Sequence, residues 1–274
     1  MDHGRSADEI ATYQAYALQI LKDSGLKCEG VTTPGGYGNK ALPQLAQATL
    51  QSVKDVFQTE IPHYFRHLFD HGDESVAPRV ELASGLDGPD PQCVVSIIGC
   101  TGDWTGGWDN TPPGGVDRFI SEDGQRGRMV EVINRGEPAM MLAHWTGIYF
   151  NGQETGFRIF QEVVRRLKTH FDHLHWMKLG ELSRYWAARE LTAISRQNGA
   201  VTLQAPFACP DFTLRIADAG PGRPLGLRQD ATVQELREVS SLLQLVSGTW
   251  CRVGSEVTLC VSLPRGRSRV DWGA

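Results

Sequence analysis

The residues of this chain whose types and spacing could do chemistry are histidines and an aspartate that each stand next to a tryptophan. His144 precedes Trp145 at the end of the apolar run AMMLA, His175 precedes Trp176, and Asp103 precedes Trp104, with Trp108 a few residues on. An imidazole changes charge near neutral pH, so His144 can lend a proton and recover it. The plainer reading of His144 is a strand-end histidine bonded to a loop carbonyl. Indoles beside titratable groups suit a saccharide, whose C–H face lies on the ring while its hydroxyls take polar partners. The plainer reading there is a set of tryptophans capping a core.

Other histidines invite a metal. His63, His67 and His71 in HYFRHLFDHG recur every four residues and would share one face of a short helix between Pro62 and Gly72, with Asp70 and Asp73 nearby; a solvated histidine face is the preferred reading. Of His170, His173 and His175, only the last two would share a strand face, and a third ligand is missing. The turn TTPGGYGN lacks the Lys-Ser/Thr ending of a phosphate loop. No G-x-S-x-G elbow occurs, and Ser84 in LASGLDG lacks the strand-turn-helix setting of a serine nucleophile. Six cysteines without a C-x-x-C pair read as buried thiols rather than a zinc cage or a disulfide framework.

These groups need elements to position them. Ser6 and Glu9 make a capping box, opening a helix with Ile10, Tyr13, Ala17 and Leu21 along one stripe and Gly25 at its end. A strand over 28–32 runs into the Gly-rich turn, and a second helix carries Leu42, Leu45, Val53, Val56 and Phe57. The run QCVVSIIGC over 92–100 has the continuous apolar character of a strand covered on both faces. Beyond it the pattern predicts a helix over 127–135, the strand AMMLAH, a helix over 154–170, the strand FDHLHW and a helix over 179–195. From Gly199 the period changes to two, in AVTLQA, DFTLRI and EVTLCVSL. The chemistry-bearing residues then fall at the carboxyl ends of strands, where connecting loops of parallel sheets converge.

Composition sets limits. The chain has 274 residues, 41% of them hydrophobic, with 27 Lys and Arg against 32 Asp and Glu and a formal charge of −5. No basic stripe with interleaved aromatics stands out, so no nucleic-acid partner is expected. The apolar runs are far shorter than the roughly 20 residues of a membrane-spanning helix. The start, MDHGRSADEI, is polar where a secretory leader would be apolar, so no targeting by that segment is expected and the compartment stays open. An oligomer is compatible with all of this.

The order of these pieces resembles the polysaccharide deacetylase family over about residues 6–190. MMLAHWTG is similar to the family's late apolar strand closing on a catalytic histidine, and VVRRLKTHFDHLHWMKLGELSRYW to its final helix, strand and helix. TTPGG is similar to its R-x-P-x-G turn, with Pro34 and Gly36 matching and Thr32 where the family has arginine. Asp103 and Trp104 are similar to an acidic and tryptophan pair at its active-site rim. The family's adjacent aspartates have no counterpart, and of its two-histidine metal motif only His3 stands ahead of the first helix.

The resemblance implies an α/β fold, a partial or distorted (β/α) barrel of parallel strands over 1–198 that either lacks its first strands or is a divergent relative without the metal, and the period-two pattern adds a small C-terminal β-rich, sandwich-like domain over 199–274. It implies metal-dependent hydrolysis of acetyl groups on a carbohydrate, with zinc or another divalent ion as cofactor. His144 would be the general acid and Asp103 a charge partner or orienting group. Trp104, Trp108 and Trp145 would form the sugar platform, joined in substrate binding by Thr32, Pro34 and Gly36, and His3 is the one metal-ligand candidate. Two rivals stand beside it: a carbohydrate-binding barrel that has lost catalysis, and a glycoside hydrolase using Asp103 and Glu154 as its carboxylate pair.

Overall fold

Ser6 and Glu9 form the predicted capping box in the computed structural model of the chain, which describes residues 4–32, 41–68, 72–102, 115–149, 152–197 and 200–273. The Ser6 N–H donates to the Glu9 carboxylate at 2.8 Å, and the Glu9 N–H donates back to the Ser6 hydroxyl at 3.3 Å. They start helix α1 (Ala7–Asp23). The chain divides into two units, Met1–Glu81 with Val94–Leu179, and Leu82–Cys93 with Gly180–Ala274.

The first unit continues through β1 (Gly30–Thr32), α2 (Leu42–Phe57), β2 (His63–Leu68), the first half of β3 (Arg79–Ser84), β4 (Gln92–Gly99) from Val94 on, α3 (Arg128–Asn134), α4 (Trp145–Tyr149) and α5 (Thr155–His170), while the rest of β3 and the first two residues of β4 fall to the second unit. The strands form one sheet in the order β1-β2-β4-β3. β1 and β4 both pair parallel to β2. Helix α1 buries Ile10, Ala11 and Leu18, and Leu18 packs with Val53 and Val56 of α2. The predicted stripe is thus only partly the buried one, since Tyr13 is 61% exposed. A second cluster gathers Ile98 and Cys100 with Met129, Val130 and Val132 of α3 and Ile159, Val163 and Leu167 of α5.

The expected barrel is not what forms. Among the described residues the strands make three small sheets of mixed or antiparallel character, and no parallel barrel closes. The two late barrel strands are absent as strands: Ala139–Ala143 is irregular, and Phe171–Trp176 is turn and coil. Their apolar residues Ala139, Met141, Ala143, Phe171 and Leu174 are nevertheless packed against the α3–α5 cluster. Hydrophobic burial therefore claims these segments without a backbone ladder, and the sequence pattern alone does not distinguish the two outcomes.

HYFRHL differs the other way. It is strand β2 rather than a short helix, because aromatic residues favour a covered pleated surface over a helix that Pro62 and Gly72 would cut short. His71 and Asp70 lie outside the described residues, and Asp73 is exposed.

The second unit holds α6 (Leu179–Leu191), whose first residue closes the other unit. After it come β5 (Ala193–Gln197), β6 (Ala200–Ala205), β7 (Cys209–Ile216), β8 (Arg223–Gln229), β9 (Thr232–Glu235), β10 (Arg237–Glu238), β11 (Thr249–Val253), β12 (Glu256–Leu263) and β13 (Gly266–Gly273). They form two sheets, β10-β11-β12-β7 and β5-β6-β13-β8-β9. Leu203, Leu227 and Val270 from one sheet share a core with Phe212, Trp250 and Leu259 from the other. The helix predicted to run to Ser195 stops at Leu191, where Thr192, Ile194 and their neighbours pass into an edge strand. All six thiols are unpaired and only Cys28 is more than slightly exposed. Among the described residues no helix is long and apolar enough to cross a membrane.

His63 opens β2 at 8% exposure, packed so closely on Gly30 that a methyl group at position 30 would collide with its ring and carbonyl. Burial pulls its pKa down to about 4. The folded state therefore holds the neutral ring, while the unfolded chain takes up a proton near pH 6.5. The stabilisation is complete above pH 6.5 and is lost as pH falls toward 4, by about 3 kcal/mol over that window. Urea unfolding midpoints measured at steps across it should fall accordingly, and His63→Gln should flatten that part of the profile; a wild-type profile already flat would overturn the assignment.

Candidate functional site

Parallel pairing puts the carboxyl ends of β1, β2 and β4 on one edge, with Thr32 opposite Phe65 and Leu68 opposite Gly99. What leaves that edge is held by a residue that sequence reasoning missed. Arg128, the first residue of α3, is 7% exposed. Its Nε donates to the Cys100 carbonyl at 3.2 Å, and its Nη1 donates to the Gly72 carbonyl at 2.8 Å and to the Glu131 carboxylate at 3.1 Å. The chain leaving β2 and the chain leaving β4 are thereby tied to one guanidinium. Gly127 makes this possible: its φ of +115° suits glycine, and a methyl there would strike the backbone of Phe119 and Ile120. The signal was present, since Arg128 stands four residues before buried Val132 and so shares the inward face of α3.

A second tie lies beside it. The Glu137 carboxylate accepts from the Ser75 hydroxyl at 2.7 Å and the Val76 N–H at 3.0 Å, and pairs with Arg135 at 3.3 Å. Burial alone would raise its pKa, but these donors outweigh it and hold the carboxyl below its ordinary value. Glu137 leads into the segment that ends at His144.

That segment returns to the end of β4. The Met140 carbonyl accepts from the Cys100 N–H at 3.1 Å and from the Cys100 thiol at 3.2 Å. Burial pushes that thiol up to about 11, so it is a packed donor and not a nucleophile. Four residues past Met140, His144 is half-buried, and its carbonyl accepts from the Gly147 N–H at 3.1 Å as the chain turns into α4. Trp145 is the first residue of α4.

Thr32, the other described member of the expected substrate set, is exposed at the end of β1. It also lines a pocket of about 350 Å3 between α1, β1 and α2, where Gln14 is the second polar side chain among mostly apolar ones. Asp103, Trp104, Trp108, Pro34, Gly36 and His3 lie outside the described residues.

The remaining candidates separate. The His170 ring bonds the Glu122 carbonyl at 2.8 Å, a structural task. His173 stands beside Asp172 at 3.4 Å with both side chains exposed, and His175 is exposed in the following coil. Glu154 is exposed ahead of α5 with φ of +55°, its N–H donating to the Tyr149 carbonyl at 2.7 Å. Among the described residues no three His, Cys, Asp or Glu side chains gather as metal ligands would. One further polar group was missed: the Glu81 carboxylate accepts from Arg66 at 3.1 Å and from Ser96 at 2.7 Å inside the first sheet. Beside it, burial and the Glu81 charge drive the Tyr64 phenol well above its usual range.

Removing the Arg128 guanidinium should strand the buried Cys100 carbonyl and release the part-buried bond to the Gly72 carbonyl. Arg128→Ala should cost about 3 kcal/mol and Arg128→Lys about half as much, because an ammonium satisfies fewer of these acceptors. Chemical denaturation measures both, and a loss under about 1 kcal/mol for alanine would refute the tie.

No family model matches the chain, and no curated protein or solved structure matches it either.

Proposed function

We propose that the protein removes acetyl groups from a carbohydrate, with His144 protonating the departing nitrogen or oxygen. Hydrolysis adds a hydroxyl to the acetyl carbon and a proton to the leaving atom, and the second task needs an acid that can be reloaded at neutral pH. The observation that carries the reading is the tether of segment 139–144 to the end of β4 through Cys100 and Met140. It sets a half-buried imidazole four residues from the edge where the parallel strands end, and a half-buried ring keeps both a fixed position and access to a ligand.

The family resemblance of MMLAHWTG supports the same role for His144, and it assigns Asp103 as charge partner or orienting group and Trp104, Trp108 and Trp145 as the sugar platform. The resemblance also implies zinc or another divalent ion. The described residues offer no ligand set for one.

Purified protein should release acetate from N-acetylglucosamine oligomers or from O-acetylated xylan. His144→Ala should lower kcat by about 10²–10⁴ with KM little changed, the range for loss of a positioned acid. Full activity in His144→Ala would overturn the assignment. Oligomer binding without acetate release would replace the enzyme by a binding protein, and new reducing ends would replace it by a glycoside hydrolase.

A further inference from the structure

The strands β5-β6-β13-β8-β9 carry an alternation whose outward half is unlike an ordinary solvent face. Ser268 and Val270 of β13 point into the core, and Arg267, Arg269 and Asp271 point out. The register aligns Arg269 with Thr202 of β6 on one side and with Arg228 of β8 on the other. Through Ser195, opposite Thr202, the same line reaches β5, and through Val233, opposite Arg228, it reaches β9. One row thus crosses five strands, about 19 Å at ~4.8 Å per interstrand gap. Arg267 pairs with Gln204 in the next row.

Two arginines directly opposite on neighbouring strands repel. Asp271 offsets this in part, accepting from the Arg228 Nε at 2.7 Å and lying 3.7 Å from the Arg269 Nε. One carboxylate serves two guanidiniums that remain 51% and 61% exposed, and Arg267 adds a third cation. Glu235, opposite Gly226 at the β9 edge, is the other anion facing this side. The face therefore has unspent donor capacity for carboxylates, and Asp271 already illustrates the pairing that a ligand carboxylate would make.

We infer that this outer sheet face binds an extended carboxylated polysaccharide, a polyuronate chain lying across the strands. The charges suit its carboxylates, because a guanidinium fork takes a carboxylate with two parallel hydrogen bonds. Ser195, Thr202 and Gln204 along the same rows suit its hydroxyls. A nucleic acid would look for aromatic platforms between the cations, and these rows hold none; an acidic peptide would leave the hydroxyl and amide groups unused. The inference stands apart from the deacetylase reading, and failure of acetate release leaves it untouched.

Affinity electrophoresis through polygalacturonate, with dextran as the neutral matrix, tests it. The protein should be retarded by polygalacturonate alone. The double variant Arg267→Ala/Arg269→Ala should bind at least tenfold more weakly with an unchanged melting temperature, and Arg267→Gln severalfold more weakly should the double variant fold poorly. Glu235→Gln should tighten binding severalfold. Arg215→Ala, on the other sheet and paired with Glu256, should change nothing. The inference is overturned by equal retardation in dextran, by binding of a single-stranded DNA oligonucleotide of equal charge as tightly, or by an Arg215→Ala loss as large as the double variant's.

Discussion

A buried guanidinium is expensive unless every acceptor around it is in place, and the first unit is organised around that demand. Taking a cation out of water costs several kcal/mol that only well-placed acceptors return. Arg128 obtains them from the carbonyls of Gly72 and Cys100 and from Glu131. The chain leaving β2 and the chain leaving β4 therefore cannot move independently, since either motion strands the charge. Other features follow from the same requirement. Gly127 has to adopt a φ open to glycine so that α3 can begin against Phe119, and Cys100, fixed by its carbonyl to Arg128, offers its N–H and thiol to Met140. The segment that leads to His144 is thus anchored at Met140 by hydrogen bonds that trace back through Cys100 to the Arg128 side chain.

Burial, more than residue type, sorts the histidines. His63 sits at the amino end of β2, wedged on Gly30, with a pKa near 4. Such a ring stays neutral through the physiological range and gives up no proton, so it serves packing. His170 has its ring nitrogen committed to the Glu122 carbonyl. His173 and His175 are exposed in a turn and coil, the first beside Asp172 and edge-on to Phe171. His144 is half-buried, four residues past Met140, whose carbonyl is bonded to the end of β4. It combines a defined position with solvent access, and a proton donor needs both.

Several elements were legible because one local signal sufficed. The capping box at Ser6 and Glu9, the unbroken apolar run of β4, the long amphipathic helices α2 and α5, and the alternating strands β6, β7 and β12 each carry their own pattern. The errors lie where the pattern was shared between states. AMMLAH and FDHLHW are apolar enough for strands, but their residues are satisfied by packing on α3 and α5, and nothing in their order marks the lack of a ladder partner. In HYFRHL the four-residue histidine spacing imitates a helix face, while the aromatic content that fits a strand is spread over neighbouring positions. Arg128 was legible in retrospect through its spacing from Val132. Its acceptors are backbone carbonyls from positions 72 and 100, and backbone groups have no sequence signature.

The same contrast explains why the two sheet systems invite different readings. In the first unit the Glu81 carboxylate is committed to Arg66 and Ser96, and Tyr64 beside it is held protonated by burial and by the Glu81 charge. At the edge where chain segments converge, His144 is half-buried among the described residues. In the second unit the inner face of the β5–β13 sheet is mostly apolar, Ser268 apart, and polar groups are displayed on its outer face, in register across strands. A sheet fixes side-chain spacing in two directions at once, so cations placed in such rows keep their separation without a pocket around them. An edge with a tethered imidazole suits a reaction at one bond. A flat row of guanidiniums suits instead a repeating ligand whose charges recur along its length, because each added unit gains a contact without any new enclosure having to form.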